Sequence, residues 1–425
     1  MKLPKIHYAH PAGESPTYDM LLTCSRCATC FSACPSYAAT QLETCSPRGR
    51  VQLVRALEEG KIAVSPRLQH ALDTCLDCRA CESVCPNGIH PGQIATMARA
   101  GLQQRMTFSR WVKRLILGPG LSHPQLMETG LSAMRLFYQR TGLQHLVRSA
   151  GLLKPIPSLA RMERYLPTIP AKNVRQSLPE LVPAVGKSRG RIGFFLGCAM
   201  NTIFADVTRQ SIAVLTRLGY DVVIPRGVVC CGAPQISLGE LDLARRMARH
   251  NAACFDGVDA IVTDCASCGS ELKHYHELLG DPSVESFAGR VYDFAEFVEP
   301  LVPDITVDLG PLTYHAPCHL VHAQGVCKPP KKLLKRLCPG YRELAEHDRC
   351  CGSAGMYWMM HQNISDATLE RKLRNIRASG ADVVVTANPG CLLQLMSGRD
   401  EHDQWDVRHI SEIVTLALNE NGVAQ

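Results

Sequence analysis

Eight cysteines near the N-terminus form two copies of one motif, C-x2-C-x2-C-x3-C-P, in CSRCATCFSACP and CLDCRACESVCP. This is the ligand spacing of proteins with two 4Fe–4S clusters, in which the fourth cysteine of each motif binds the other cluster. The predicted ligand sets are a first quartet (Cys24, Cys27, Cys30 and Cys85) and a second quartet (Cys34, Cys75, Cys78 and Cys81). A pair of structural zinc sites is the alternative, but zinc prefers four thiolates arranged as two pairs.

The C-terminal cysteines belong to an internal duplication. Cys198 and Cys318 are 120 residues apart, and the same interval separates the double cysteines at 230–231 and 350–351. After about six inserted residues Cys265 matches Cys391, whereas Gln394 takes the position of Cys268. The candidate ligands of one or two further iron–sulfur clusters are Cys198, Cys230, Cys231, Cys265 and Cys268 in copy one, and Cys318, Cys350, Cys351 and Cys391 in copy two. A redox-active vicinal disulfide and a zinc site are the alternatives.

Each copy alternates apolar strands with helical segments, which predicts a mostly parallel sheet. Cysteines that directly follow strands are expected at helix N-termini, where the helix dipole favours thiolates. Gly232 and Gly352, behind the double cysteines, are expected to permit a turn that other residues resist. His315, His319 and His322 have the spacing of one helix face and are predicted either to pack or to handle protons.

Composition excludes several classes of protein. The chain has 425 residues, 21 cysteines and a formal charge of +7, so it is neither disordered nor a short secreted disulfide scaffold. It shows no apolar run of eighteen residues and no signal peptide, so we expect a cytoplasmic protein. The four cysteines outside the motifs are expected to be buried structural thiols: Cys45, Cys254, Cys327 and Cys338.

Residues 101–190 carry 14 Lys and Arg against three acids, and therefore all of the net positive charge. Within them RMTFSRWVKRLIL predicts a basic amphipathic helix with Phe108 and Trp111 on its apolar arc. Such a helix can lie on the inner face of the cytoplasmic membrane, and packing inside the protein is the alternative. Without a recognised module, the charge does not predict nucleic-acid binding.

The predicted fold class is α plus α/β. Residues 1–105 are expected to form an all-helical ferredoxin domain with two 4Fe–4S clusters, and 106–190 a basic helical segment and Pro-rich linker. Residues 191–425 are expected to form a duplicated cysteine-rich domain, with copies at about 191–305 and 311–425. Arg48 and Arg50, between the two N-terminal motifs, either offset cluster charge or lie on a solvated surface.

Four stretches have a characteristic sequence: SPRGR between the N-terminal motifs, and HAPCHLVHAQ, CCGSAG and TANPGC in copy two. Through them and the cysteine motifs, nearly the whole chain resembles the family of bacterial glycolate oxidase iron–sulfur subunits. The cysteine-rich (CCG) domain is also similar to the CCG-bearing subunits of heterodisulfide reductase and of anaerobic glycerol-3-phosphate dehydrogenase, and to lactate-utilisation proteins. The resemblance implies partner FAD subunits that oxidise glycolate to glyoxylate, and a membrane quinone that receives the electrons from this chain. In heterodisulfide reductase the CCG cysteines bind non-cubane clusters, and Gln394 departs from that pattern.

No G-x-G-x-x-G follows a strand, so we predict no flavin or nicotinamide site and no catalytic residue in this chain. The predicted function is therefore electron transfer within a 2-hydroxy-acid dehydrogenase, with glycolate as the first candidate substrate. The alternatives are a subunit of a D-lactate or glycerol-3-phosphate dehydrogenase, a heterodisulfide-reductase-like protein, and a zinc-binding scaffold without enzymatic function.

Overall fold

A computed structural model of the chain describes residues 18–102, 123–153, 160, 163, 166–355 and 357–422. Its N-terminal part, the ferredoxin module, is built from short helices. Several begin with proline at the first helical position, and the Ser46 and Ser65 side chains cap two of them by accepting backbone N–H groups. The helices are Tyr18–Leu22, Cys30–Ala33, Pro35–Thr40, Pro47–Glu58, Pro66–Asp73, Ala80–Ser83 and Pro91–Leu102, with a 3-10 turn at Glu43–Cys45.

The segment that follows is helical and then mostly irregular. Its described elements are the helices Pro124–Met134, Leu143–Ser149 and Val174–Ser177, with a π-helical turn at Arg135–Gln139. The predicted amphipathic helix with Phe108 and Trp111 lies outside the described residues. Within the described part of the chain, no helix has the length and apolar character needed to cross a membrane.

Copy one forms a five-stranded sheet in the order β1-β3-β2-β4-β5. The strands are β1 (Leu181–Val182), β2 (Gly190–Phe194), β3 (Tyr220–Val223), β4 (Ala260–Thr263) and β5 (Val291–Asp293). Neighbouring strands are parallel except for β1, which comes from the predicted linker and pairs antiparallel with β3. The helices are Cys198–Thr202, Ala205–Arg217, Ala233–Ser237, Leu241–Ala252, Ala266–Lys273, Tyr275–Leu279, Glu285–Ala288 and Phe294–Val298, with 3-10 turns at Ala253–Phe255 and Pro282–Val284.

Copy two forms a four-stranded parallel sheet in the order β7-β6-β8-β9, which repeats the order β3-β2-β4-β5 of copy one. The strands are β6 (Leu312–Tyr314), β7 (Tyr341–Arg342), β8 (Val383–Thr386) and β9 (Asp406–His409). The helices are Lys328–Leu337, Tyr357–Met360, Gln362–Ser379, Pro389–Gly398 and Ile410–Glu420, with a π-helical turn at His319–Ala323. The predicted fold class is confirmed, and the strand order shows that the duplication extends to the topology.

The two copies share one hydrophobic core. Phe194 and Val262 of the first sheet lie in the same buried cluster as Tyr314 and Val385 of the second. Helix Ala205–Arg217 of copy one packs on the last helix of copy two, Ile410–Glu420, and helix Phe294–Val298 packs on Lys328–Leu337 in the reciprocal way. This exchange of helices holds the cysteine-bearing ends of both sheets in one rigid unit.

Candidate metal centres

The four cysteines of the first quartet come together around a cavity of about 380 Å³ that is open to solvent. Cys27 is exposed, whereas burial raises the pKa of Cys30 to about 11. Arg48 also lines this cavity, and its guanidinium lies 4.5 Å from the Phe31 ring centroid and bonds Glu43. Tertiary folding thus unites three thiols of one motif with the last thiol of the other, which is the grouping that the crossed ligand rule predicts.

The backbone of the two C-x2-C-x2-C loops is strained at equivalent positions. Arg26 and Ala28 flank Cys27 with φ of 60° and 65°, and Asp77 and Arg79 flank Cys78 with φ of 51° and 59°. Residues other than glycine adopt this left-handed conformation at a cost, and such strain concentrates at functional sites. A loop held this way wraps its thiols around a common centre, so the residues fit a cluster.

The second quartet is more deeply placed. Burial raises the pKa of Cys78 and Cys81 well above the usual thiol range, and Cys34 and Cys75 act on both in the same direction. Such thiols are readily ionised only if a metal offsets the charge. Arg50 beside them is buried, and its guanidinium donates to Ala71 O, Ser36 Oγ and Thr74 Oγ1 at 2.8–2.9 Å. The sequence left open whether Arg50 offsets cluster charge or lies on a solvated surface, and its burial excludes the solvated surface.

In copy one the five thiols form a continuous chain of contacts. Neighbouring thiols lie beside one another in the order Cys198, Cys230, Cys231, Cys268 and Cys265. Cys198 begins the helix after β2, and Cys265 caps the helix after β4, as predicted from the strand pattern. Cys198 and Cys230 also line an open cavity of about 290 Å³, together with Glu128 and Arg175, whose side chains are 3.8 Å apart.

In copy two the four thiols follow the same path. Cys318 contacts Cys350, Cys350 contacts Cys351, and the Sγ atoms of Cys351 and Cys391 are 3.4 Å apart. All four are buried. None of the 21 cysteines, all of which the structure describes, forms a disulfide. Such crowding of unpaired thiols suits metal-bound thiolates.

The glycine after each double cysteine adopts the backbone conformation expected of it. Gly232 has φ +96° and Gly352 has φ +91°. A Cβ at Gly352 would lie 2.6 Å from Ser365 O, whereas one at Gly232 would make an ordinary contact with Ala244. The reversal at these glycines turns the two neighbouring thiols into the site.

The three histidines around Cys318 do not share a helix face, so the prediction from their spacing is wrong. His315 directly follows β6, before the helical turn that begins at His319, and its backbone N–H donates to Val385 O. His319 Nδ1 is 3.6 Å from Cys318 Sγ, whereas His322 Nδ1 is 3.1 Å from Ser83 Oγ of the ferredoxin module. The histidine spacing fits a helix, but the chain at His315 is still hydrogen-bonded to β8 and becomes helical only after it.

The four cysteines outside the motifs differ in burial. Cys45 and Cys338 are buried as expected, but Cys254 is half-buried and Cys327 is exposed, which corrects the prediction of four buried thiols. Cys254 Sγ donates to His250 O at 3.3 Å.

Asn388 is a site residue that sequence reasoning missed. Its Oδ1 lies 3.7 Å from Cys265 Sγ of copy one, and its Nδ2 lies 3.7 Å from Cys391 Sγ of copy two. Because the amide O and N are themselves little more than 2 Å apart, the two Sγ atoms are at most about 10 Å apart. TDCASC of copy one and TANPGC of copy two align without a gap after the last strand residues, and Cys265 and Asn388 are the N-cap residues of the helices that follow. Asn388 is therefore the counterpart of Cys265 and Cys391 that of Cys268, so the predicted matches of Cys391 with Cys265 and of Gln394 with Cys268 are wrong.

The ferredoxin module docks on copy two. Cys78 and Leu76 share a buried cluster with Cys318, Cys350 and Ile364. The Tyr357 hydroxyl donates to Thr74 O at 2.9 Å, and Arg349 donates to Ser32 O at 3.1 Å. This docking places the second quartet directly against the thiols of copy two.

Three family models match this chain, one of them twice. A model of the 4Fe–4S dicluster domain matches residues 20–89, and one of the linker region of the glycolate oxidase iron–sulfur subunit matches 108–166. A model of the cysteine-rich domain matches twice, at 192–273 and 312–396.

Similarity to curated proteins extends over most of the chain. The probable glycolate oxidase iron–sulfur subunit of Bacillus subtilis is 35% identical over 395 residues, or 89% of each chain. The glycolate oxidase iron–sulfur subunit of Escherichia coli is 29% identical over 94% of this chain and 95% of its own. Lactate utilization protein A of Oceanobacillus iheyensis is 29% identical over 55% of this chain and its own entire length. The resemblance inferred from the cysteine motifs is thus confirmed, and the chain belongs to the family of glycolate oxidase iron–sulfur subunits.

Proposed function

We propose that this chain is the electron-transfer subunit of a membrane-associated glycolate-oxidising complex. Electrons enter from a partner FAD subunit, which oxidises glycolate to glyoxylate, and leave towards a quinone. Two full-length relatives named for glycolate oxidase support the substrate. A single structural observation carries the electron-transfer role: the four thiol groups form an unbroken line.

The line runs through both modules. The first quartet lies beside the second in the ferredoxin module, and Cys78 of the second is packed with Cys318 and Cys350 of copy two. Asn388 then spans the gap from copy two to copy one. Electron tunnelling weakens steeply with distance, so groups placed side by side form an efficient path.

The two ends of this line reach the surface, and its middle does not. Cys27 is exposed at the first quartet, and Cys198 is half-buried beside the cavity at copy one. The cysteines of copy two, between these ends, are buried. One exposed end suits the donor and the other suits the acceptor, while burial of the middle protects against reaction with solvent.

The residues of the chain tune and shield the path. Iron–sulfur clusters, when bound to these thiols, supply one-electron redox centres. Leu76, Tyr357 and Ile364 exclude water between the second quartet and copy two. The buried Arg50 cation beside the second quartet favours the reduced, more negative state, because it offsets added charge in a low-dielectric site.

Metal analysis and EPR of the anaerobically purified protein test the electron-transfer role. We expect iron and sulfide in amounts that require more than the two ferredoxin clusters, with reducible EPR signals. Zinc without a reducible iron cluster would contradict the proposal.

The substrate is tested with the complex co-expressed with its FAD subunits. Dye reduction with glycolate should exceed that with D-lactate. The opposite order would favour the second candidate, a D-lactate dehydrogenase subunit, which the similarity to lactate utilization protein A supports.

Membrane attachment through the basic segment at 101–190 is a separate part of the proposal. Replacing both Phe108 and Trp111 with Glu should release the complex from the membrane fraction, because charge on the apolar arc opposes insertion. Unchanged fractionation would mean that this segment packs inside the protein.

A further inference from the structure

The two copies differ in the number of thiols around the site. In copy one Cys265 lies beside both Cys231 and Cys268. Asn388 takes the position of Cys265 in copy two, since each is the N-cap residue of the helix that follows the matching strand, and Cys391 takes the position of Cys268. Copy two therefore lacks the thiol that Cys265 supplies, and its fifth donor has to come from elsewhere.

His315 is placed to supply that donor. One of its ring nitrogens lies within 4.8 Å of the Sγ atoms of both Cys351 and Cys391. These two cysteines are the counterparts of Cys231 and Cys268, the thiols that lie beside Cys265 in copy one. The imidazole thus faces the same pair of thiols from the residue that follows β6, whereas Cys265 faces them from the start of a helix.

The surroundings of His315 suit a ligand. The side chain is completely buried, yet neither ring nitrogen meets hydrogen-bond geometry. Buried polar groups without partners are costly and rare, so such an orphan indicates a missing ligand. The backbone carbonyl of His347 lies beside the ring, and metal-bound histidines commonly donate their other N–H to such a carbonyl.

Copy one has no donor at this position. Phe195 occupies the equivalent place, since its backbone N–H donates to Val262 O as that of His315 donates to Val385 O. The Phe195 ring is buried and stacks on Phe255 with centroids 6.1 Å apart. The exchange is therefore reciprocal: copy one has Phe195 and the thiol of Cys265, and copy two has His315 and Asn388 at the same two positions.

We propose that His315 is the fifth ligand of the iron–sulfur cluster in copy two, alongside its four thiolates. This inference rests on the proposed function, because it assumes that copy two binds iron. The imidazole binds as a neutral lone-pair donor, so the site carries one negative charge less than the five-thiolate site of copy one. Replacing thiolate by imidazole raises the reduction potential of an iron–sulfur centre, so copy two is expected to be the more easily reduced of the two.

Pulsed EPR on the holoprotein tests the ligand directly. The Cys351→Ser variant identifies the copy-two signal as the one that disappears. In the wild type we expect this signal to show the strong hyperfine coupling of a bound nitrogen, which changes isotope pattern when the protein is labelled with 15N-histidine.

Variants assign that nitrogen to one histidine. His315→Phe, which installs the residue of copy one, should abolish the coupling. His319→Phe, which removes the neighbouring histidine near Cys318, should retain it. If His315→Phe loses the copy-two cluster altogether, His315→Phe with Asn388→Cys, which installs the thiol of copy one, should restore a cluster without nitrogen coupling and with a lower midpoint potential.

A copy-two signal without nitrogen coupling in the wild type, or with coupling that survives His315→Phe, would overturn the inference while leaving the electron-transfer role intact. A wild-type protein with iron only in the ferredoxin clusters would instead overturn the proposed function at this site.

Discussion

Copy one and copy two have the same strand order and the same cysteine turns, yet their sites differ in almost every other respect. Copy one has five thiols and opens to solvent beside Glu128 and Arg175. Copy two has four buried thiols and His315, and the ferredoxin module covers it. A duplicated backbone thus preserves where ligands can be placed, while a few side chains and the docking partner decide what each site is suited to do.

The largest expected difference between the copies comes from their positions in the proposed electron path, where copy two lies between the ferredoxin module and copy one. Cys351→Ser should remove the copy-two cluster and isolate copy one from the ferredoxin clusters, whereas Cys231→Ser should remove only the terminal cluster of copy one. Both should lower iron content and abolish quinone reduction by the complex. After reduction of the Cys351→Ser complex through the FAD subunit, EPR should show reduced clusters on one side of the missing copy-two cluster only, either in the ferredoxin module or in copy one.

Matched controls for these variants are Cys254→Ser in copy one and Cys327→Ser in copy two, which change thiols outside the groups. Both should retain the iron content of the wild type. Full iron in Cys351→Ser would show that this thiol is not a ligand.

The glycines after the double cysteines should respond unequally to substitution. Gly232→Ala forces alanine to adopt φ +96° and should cost about 1–3 kcal/mol. Gly352→Ala has the same strain and adds an overlap with Ser365 O, for a further 1–3 kcal/mol or so. The midpoint of thermal unfolding should therefore fall further for Gly352→Ala, and equal shifts would contradict the contrast.

Acidification should affect the last strand of each copy in opposite directions. Asp293 at the end of β5 and His409 at the end of β9 both cap the next helix and are buried. Burial raises the pKa of Asp293 to about 7 and lowers the pKa of His409 to about 4. Each group is thus held in its neutral form by the fold.

The signs follow from linkage. The pKa of Asp293 is raised, so the contribution of Asp293 to stability falls as the pH rises from about 4 to 7. The pKa of His409 is lowered, so the contribution of His409 to stability falls as the pH drops from about 6.5 to 4. Between pH 7.5 and 5.5 acidification should raise the free energy of unfolding by about 2 kcal/mol through Asp293 and lower it by about 1 kcal/mol through His409.

Asn replacements test these signs, because Asn keeps a capping oxygen without titrating. On acidification from pH 7.5 to 5.5, the unfolding midpoint of Asp293→Asn relative to the wild type should move down, and that of His409→Asn should move up. Parallel movement would show that one of the two groups is charged in the folded protein.

The smallest expected effect concerns the docking of the ferredoxin module on copy two. Tyr357→Phe removes the hydrogen bond to Thr74 O and should cost about 1 kcal/mol. Tyr292→Phe is a suitable control, since the Tyr292 ring packs edge-on against Phe297 in copy one. An unfolding midpoint that falls no more for Tyr357→Phe than for the control would argue that this bond adds nothing to docking.

Much of the candidate site was predictable because its information is local. The two N-terminal motifs, the repeat interval from Cys198 to Cys318, and the turn at Gly232 and Gly352 all depend on short-range spacing and backbone conformation. The interpretation of His315 was wrong for the complementary reason: a histidine spacing of four and three residues fits a helix, but β6 pairs with β8 up to Tyr314, and a hydrogen bond to Val385 O holds the next residue, His315, beside β8.

The sequence by itself determined the kinds of donor, their grouping by motif and the duplicated α/β fold, because thiol chemistry, hydrophobic periodicity and glycine conformation are properties of a few neighbouring residues. Only the tertiary structure decided that the second quartet packs against copy two, that Asn388 joins the two copies, and that His315 faces the thiols Cys351 and Cys391. These contacts join residues far apart in the chain, and they arise from packing of complementary surfaces, which no local pattern specifies.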